Sequence, residues 1–255
     1  MLEGKQKKWL GFGLAGALAR MGLALGLCLA LSPNFSHAAG NGDDNETTIA
    51  HWQFNEGTGE QVAATNNPAL ALKFGKGEQG VMPEWVETKE GKGIRFSGSK
   101  GAYLFGGGEN FKTAFSLEPP FSIEFWLTVE EPLPGYNGGL FQCMDYLQKG
   151  FRCGVNKEGL VLFEAHGKGA AAQVFSKKAL DLNYSYHVMF LVESDQVSFY
   201  INDRLDAIRK FKQPYIPCPA AAVQIGRNSG ACNDFSFNGI IRAIRIKRFK
   251  SVGDL

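Results

Sequence analysis

The stretch FSIEFWLTV, residues 121–129, decides how the chain is read. Phe121, Ile123, Phe125, Leu127 and Val129 fall on one side of an extended backbone, and Ser122, Glu124, Trp126 and Thr128 on the other. Strict alternation predicts a strand with one face in a core and one turned outward. QVSFYI, residues 196–201, repeats the pattern, with Val197, Phe199 and Ile201 on one side and Ser198 and Tyr200 on the other. YHVMFLV, residues 186–192, reads as an apolar strand buried on both faces. Glu193-Ser194-Asp195 and Asn202-Asp203 supply the turns after these two runs, using residues that favour turn geometry. Similar short runs follow one another along the chain between clusters of Gly, Pro, Asn and Asp, and no amphipathic helical period is evident. The expectation is an all-β chain in which two stacked antiparallel sheets bury these stripes together.

Composition supports this and excludes several classes. The 255 residues are 44% hydrophobic and 20% charged, with 32 Gly, 10 Pro and 20 Phe. That profile excludes a disordered chain, a collagen-like repeat and a polytopic membrane protein, and it suits frequent turns between short aromatic-rich strands. Lys5, Lys7 and Lys8 precede an apolar run at residues 21–31, and Ser36-His37-Ala38 places small residues before Ala39. This is the layout of a secretory signal peptide over residues 1–38. Arg20 interrupts the longer apolar stretch, so neither part reaches the roughly 20 residues of a membrane span. The expected location is therefore secreted, periplasmic or at the cell envelope. Residues 39–47 read as a flexible leader and 48–252 as one domain.

The formal charge of the whole chain is +2, and four basic residues but only Glu3 among the acidic ones fall in residues 1–38, leaving a near-neutral remainder. No basic footprint for phosphate backbones is left, so nucleic acid is excluded as a partner. Cys143, Cys153, Cys218 and Cys232 remain, an even number without zinc-type spacing in a chain expected to meet an oxidising compartment. A hairpin turning at residues 147–149 would set Cys143 opposite Cys153, giving the pairs Cys143 with Cys153 and Cys218 with Cys232; four buried thiols are the alternative.

Five segments in order then carry a family resemblance. HWQFNEGTGEQVAA (51–64), GKGIRFSGSKGAYLFGG (91–107), FSIEFWLTV (121–129), YHVMFLVESDQVSFYIND (186–203) and VQIGR with FNGIIRAIRI (223–227 and 237–246) resemble the successive strands of laminin G-like domains in the concanavalin A-like lectin/glucanase superfamily. The resemblance spans roughly residues 48–250 and implies an antiparallel jelly-roll β-sandwich. Such sandwiches carry lectins, adhesive modules and glycosidases, so fold alone leaves function open. The resemblance also implies a structural calcium between the first and last strands. Arg242 stands where the last-strand Asp belongs, and Ala64-Thr65-Asn66 replaces the expected Asp-x-Ser, so neither this calcium nor any other cofactor is expected. By parity Arg242 shares a face with Ile240, Ile244 and Ile246, which would turn it inward and require a carboxylate; Glu56 or Glu60 is the expected partner.

Catalytic chemistry finds little support. The paired carboxylates of sandwich glycosidases have no counterpart, since Glu124 stands alone on its face and Glu130 and Glu131 point oppositely. His51, His166 and His187 are dispersed, and His187 reads as a hydrogen-bonded core histidine. Gly106-Gly107-Gly108 reads as a turn with no helix after it, hence no phosphate cradle. What remains is recognition, by an aromatic plate with polar groups beside it. Two surfaces offer this: the outward face with Glu124, Trp126 and Tyr200, and a rim of Asp145, Tyr146, Arg227, Asn228, Asn233 and Asp234. The expected function is an exported, non-catalytic binding module for a glycan or a cell-surface protein partner. An atypical polysaccharide hydrolase or lyase and a purely adhesive protein are the alternatives.

Overall fold

The computed structural model describes residues 45–77, 80–98, 101–131, 137–145, 149–167, 170–218, 222–227 and 236–250. One sheet contains β1 (Glu46–Trp52), β4 (Glu84–Thr88), β5 (Gly91–Ser97), β7 (Phe121–Val129), β12 (Ser185–Val192), β13 (Gln196–Ile201), β14 (Arg204–Lys210) and β16 (Asn238–Phe249). The other contains β2 (Gln61–Ala64), β3 (Asn67–Gly75), β6 (Tyr103–Gly107), β8 (Asn137–Asp145), β9 (Lys149–Asn156), β10 (Leu160–Gly167), β11 (Ala170–Ala179) and β15 (Ala222–Ile225). The first sheet runs β14-β13-β12-β7-β16-β5-β4 with β1 also paired to β16, and the second β11-β10-β9-β8-β15-β6-β3-β2. All the strand pairings are antiparallel, and the two sheets form the expected jelly-roll sandwich. Long crossovers such as β7 beside β16 tie the end of the chain to its middle.

The alternation in residues 121–129 survives folding. Phe121, Ile123, Phe125, Leu127 and Val129 are all buried between the sheets. The abundance of phenylalanine has a structural use: Phe141, Phe151, Phe163, Phe190 and Phe199 form a chain of ring contacts across the core, with centroids 5.4–5.9 Å apart. Each such ring contributes on the order of 1.5–3 kcal/mol by leaving water, and the ring contacts lock the sheets in register. Trp52 stacks on Phe115 and donates its indole N–H to the Leu70 carbonyl at 2.8 Å, tying β1 to β3 through the interior.

Several expectations need correction. β12 is not buried on both faces: Tyr186, Val188, Phe190 and Val192 are buried, whereas Ser185, His187, Met189 and Leu191 are partly open on the outer face. A short helix, α1 (Glu109–Phe115), follows Gly108 directly, so the glycine run does lead into a helix; Phe111 and Phe115 plug it into the core. A helix of about two turns, seated by two rings, leaves no amphipathic period long enough to read. The expected Cys143–Cys153 bridge is absent. With Asp145 opposite Lys149, the β8–β9 hairpin is centred one residue earlier than assumed, and Cys143 faces Phe151 while Cys153 faces Phe141. The two sulfurs therefore sit diagonally rather than face to face, as separate buried thiols, and Cys143 donates to the Phe115 carbonyl at 3.6 Å. Cys218 is buried as well, and Cys232 lies outside the described residues.

Candidate functional site on the outer face of the first sheet

The site is assembled by register. β7 sets Glu124 and Trp126 two apart on its outward face. β12 places His187 opposite Trp126 and Met189 opposite Glu124, and β16 places Arg245 opposite Glu124 and Ala243 opposite Trp126. β1 then sets His51 opposite Arg245. Glu124 is thus far from alone on its face. Arg245 donates to it with Nε at 3.1 Å and its terminal nitrogen at 2.6 Å, and His187 Nε2 lies 3.1 Å from its second oxygen. The other His187 nitrogen, Nδ1, lies 2.8 Å from Asp203 in the turn after β13. His187 is therefore not a core histidine but the link between a buried and an exposed carboxylate.

Trp126 lies over this network. Its ring stacks on His187, centroids 4.5 Å apart and planes 13° from parallel, with the Arg245 guanidinium carbon 5.2 Å from its centroid and His51 at 6.5 Å. An indole gripped by an imidazole and a guanidinium loses little freedom when a ligand arrives, which is the condition for a stacking platform.

The charges are set by these contacts. Burial alone would raise the Glu124 carboxyl, but hydrogen bonds from His187 and Arg245 and the Arg245 charge outweigh it and hold it down to about 2. Burial likewise disfavours the His187 cation, yet Glu124 and then Asp203 raise its pKa; when protonated, the ring donates to both carboxylates. His51 is lowered, first by burial and then by Arg245, which keeps its ring neutral. Glu124 is consequently an ionised acceptor whose oxygens are both occupied. It has no proton to give and no oxygen exposed to attack, the two roles a glycosidase carboxylate must fill.

A groove of about 660 Å³ opens beside this network. Trp126, Arg245 and His51 line it together with Gln53 and Asn55 from the segment after β1, Glu87, Glu90, Gly91 and Lys92 around the β4–β5 turn, and Arg242 and Ala243 of β16. Asn55 donates its amide to the Gln53 side-chain carbonyl at 3.1 Å, and both carboxamides line the groove.

Arg242 departs from the parity reading. The β16 register slips between Ile241 and Ala243, so Ile241, Ile244 and Ile246 are the fully buried, core-facing set and Arg242 is the extra residue of a β-bulge. One inserted residue reverses parity from that point on, and Arg242 lines the groove, partly buried. It pairs with neither Glu56 nor Glu60. Glu56 accepts from the Ala63 backbone at 3.3 Å, and Arg242 acts instead on Glu90, whose acidity is enhanced against desolvation by Ser185, Lys89 and Arg242 in that order. The donor set does not suit the calcium that the resemblance implies: a guanidinium holds the position of a carboxylate, and among the described residues no three His, Cys, Asp or Glu side chains converge.

The remaining expected site residues are not brought here. Tyr200 shares the transverse row of Glu124 but stands beyond Met189 and does not line the groove. Arg227 belongs to the other sheet's end, its guanidinium 3.8 Å above the Tyr103 ring and its backbone bridged to Ser236. Asp145 ends β8, opposite Lys149. Tyr146, Asn228, Asn233 and Asp234 lie outside the described residues. His51, His187 and Arg245 are the residues that reading the sequence missed.

Comparison with known proteins agrees with the architecture. The model of the Concanavalin A-like lectin/glucanases superfamily matches residues 96–250. No curated protein sequence matches the chain significantly. Domain 4 of the extracellular arabinanase AbnA from Geobacillus stearothermophilus, solved with arabinotriose, superposes with a TM-score of 0.62 at 14% identity, over 81% of this chain and 94% of that one. The binding domain of botulinum neurotoxin DC, solved with rat synaptotagmin II, gives 0.58 at 14% identity, over 81% of this chain and 49% of that one. The binding domain of Paraclostridial Mosquitocidal Protein 1 gives 0.59 at 14%, over 83% and 51%. The chain thus spans about half of each toxin binding domain, and at such identities the likeness concerns the fold.

Proposed function

We propose, from the premise that this chain belongs to the concanavalin A-like lectin/glucanase superfamily, that it is an exported binding module without catalysis, which takes a carbohydrate in the groove beside Trp126. The observation that carries the reading is the construction of that groove. A tryptophan is braced by His187 and Arg245, and paired amides and several charged groups stand around it. Sugars present an apolar C–H face and a fringe of hydroxyls, and an aromatic wall with mixed donors and acceptors answers both. The non-catalytic part rests on Glu124, which is ionised and saturated by Arg245 and His187.

Export rests on the basic opening and the apolar run at residues 21–31, which lie outside the described residues. Among the described residues, no helix is long and apolar enough to cross a membrane. N-terminal sequencing of protein recovered from the medium or envelope tests this, with Ala39 as the expected first residue. For binding, calorimetric titration of the purified protein with arabinotriose and a panel of neutral and acidic oligosaccharides is the test. At least one sugar should bind the wild type and fail to bind Trp126→Ala. A ligand held equally by both proteins would place recognition elsewhere.

A further inference from the structure

Three arginines of β5 and β16 stand near this outer face, and their partners differ. Arg95 grips Glu130 with Nε and a terminal nitrogen at 2.9–3.2 Å, and Arg245 grips Glu124 in the same two-pronged way. Arg242 has no carboxylate within ion-pair distance among the described residues, and its Nε is buried without a hydrogen-bond partner. A guanidinium that is partly withdrawn from water and lacks its carboxylate is an incomplete pair, and the planar fork selects a carboxylate or sulfate oxygen edge.

The backbone is built around that side chain. The bulge in β16 inserts Arg242 out of register and turns it to the groove, as bulges commonly re-aim a side chain at a site. Its stem passes over Gly93 of β5: a Cβ there would lie 3.0 Å from Arg242 Cγ and 2.9 Å from Ile240 Cγ2, with the Ile241 carbonyl oxygen also at 3.0 Å. Only glycine leaves the room. Lys92, next in the chain and lining the same groove, adds a second cation. Glu87 and Glu90 also line the groove, but both are exposed, and Glu90 already shares Lys89 at 3.5 Å.

We propose that Arg242 is the anion-reading residue of the groove and that the natural ligand is an acidic saccharide, whose carboxylate or sulfate takes the place at Arg242 that Glu124 takes at Arg245. The inference rests on the reading of the groove as a saccharide site. Its test is calorimetric titration of the full chain with trigalacturonate, a sulfated disaccharide and neutral galactotriose, for wild type, Arg242→Gln and Arg242→Lys, with melting temperatures to confirm folding. The wild type should prefer one acidic probe over the neutral one by about tenfold, the worth of a charge-assisted hydrogen bond. Arg242→Gln should bring that ratio to about one, and Arg242→Lys should leave it in between, since the charge stays but the fork is lost. A uronate preference identifies a carboxylate as the anion and a sulfate preference a sulfate ester; either supports the proposal. Equal wild-type affinity for acidic and neutral probes, or a preference that survives in Arg242→Gln, overturns it while leaving the saccharide reading intact. Binding of no saccharide at all overturns both.

Discussion

The two outer faces of the sandwich solve the same electrostatic problem with different results. On the first sheet Glu124 is held by Arg245 and His187; on the second, Glu164 is held by Arg152 at 2.6 Å and by Gln173, with His166 Nε2 at ion-pair distance but off the line of a hydrogen bond. Register makes both sets, since Arg152, Glu164 and Gln173 are direct cross-strand neighbours on β9, β10 and β11 just as Glu124 and Arg245 are on β7 and β16. The surroundings differ. The arginines are alike, Arg152 17% and Arg245 24% exposed, but His166 is 1% exposed where His187 is 18%, and beside His187 a tryptophan and a groove open to water. An ion set whose carboxylate and histidine are both closed off serves the fold; the same set with its histidine wet can hold a platform for a ligand.

The largest test of this contrast is in stability. Glu164→Gln should cost about 3–5 kcal/mol in denaturant unfolding, because Glu164, 2% exposed, is the buried acceptor that Arg152 and Gln173 share. Glu124→Gln should cost only about 2 kcal/mol, since Arg245 and His187 can take up water. Equal losses would erase the distinction between a closed face and an open one. Binding should divide the other way. Trp126→Ala should weaken saccharide binding by about thirtyfold or more with a small change in stability, as expected for a stacked, partly exposed ring, while Glu164→Gln leaves affinity unchanged.

Acidity gives a finer test. Glu124 has a folded pKa below its unfolded value, so its contribution is present above the ordinary carboxylate range and is lost as pH falls toward about 2. His187 has a raised folded pKa, so its contribution is complete below about 6.5 and disappears as pH rises through the folded value. Unfolding free energy followed from pH 6 to 9 should therefore fall more for the wild type than for His187→Gln; parallel curves would show that the imidazole carries no ionic link. The smallest effect expected is Gly93→Ala, which should lower the melting temperature by a few degrees while shifting the acidic-over-neutral preference, because the added methyl displaces the Arg242 stem.

The fold was legible where period two holds without interruption. Residues 121–129 and 196–201 declare their inner faces outright, and the five ordered segments that resemble the superfamily run from the first strand to the last, passing over β8–β11. Parity failed where a bulge intervenes, at Arg242, because an inserted residue leaves no mark in a run of alternating Ile and Arg. It failed again at Cys143 and Cys153, where shifting the centre of a hairpin by one residue moves each partner by two. Of the site, Glu124 and Trp126 were visible on one strand. His187, Arg245 and His51 were not, since they lie 63, 121 and 73 residues from Glu124 along the chain and meet it and Trp126 only after β12, β16 and β1 are laid out around β7. A strand order is a long-range property, and one sequence displays only the local half of it.

The most direct measurement is a chemical-shift map of the protein during titration with the tightest-binding oligosaccharide of the panel. The account predicts that the Trp126 indole N–H and the backbone amides of Gln53, Gly91, Lys92 and Ala243 move together and saturate at one affinity. Saturable shifts confined to the second sheet, around Tyr103 and Arg227, with Trp126 unmoved, would contradict it.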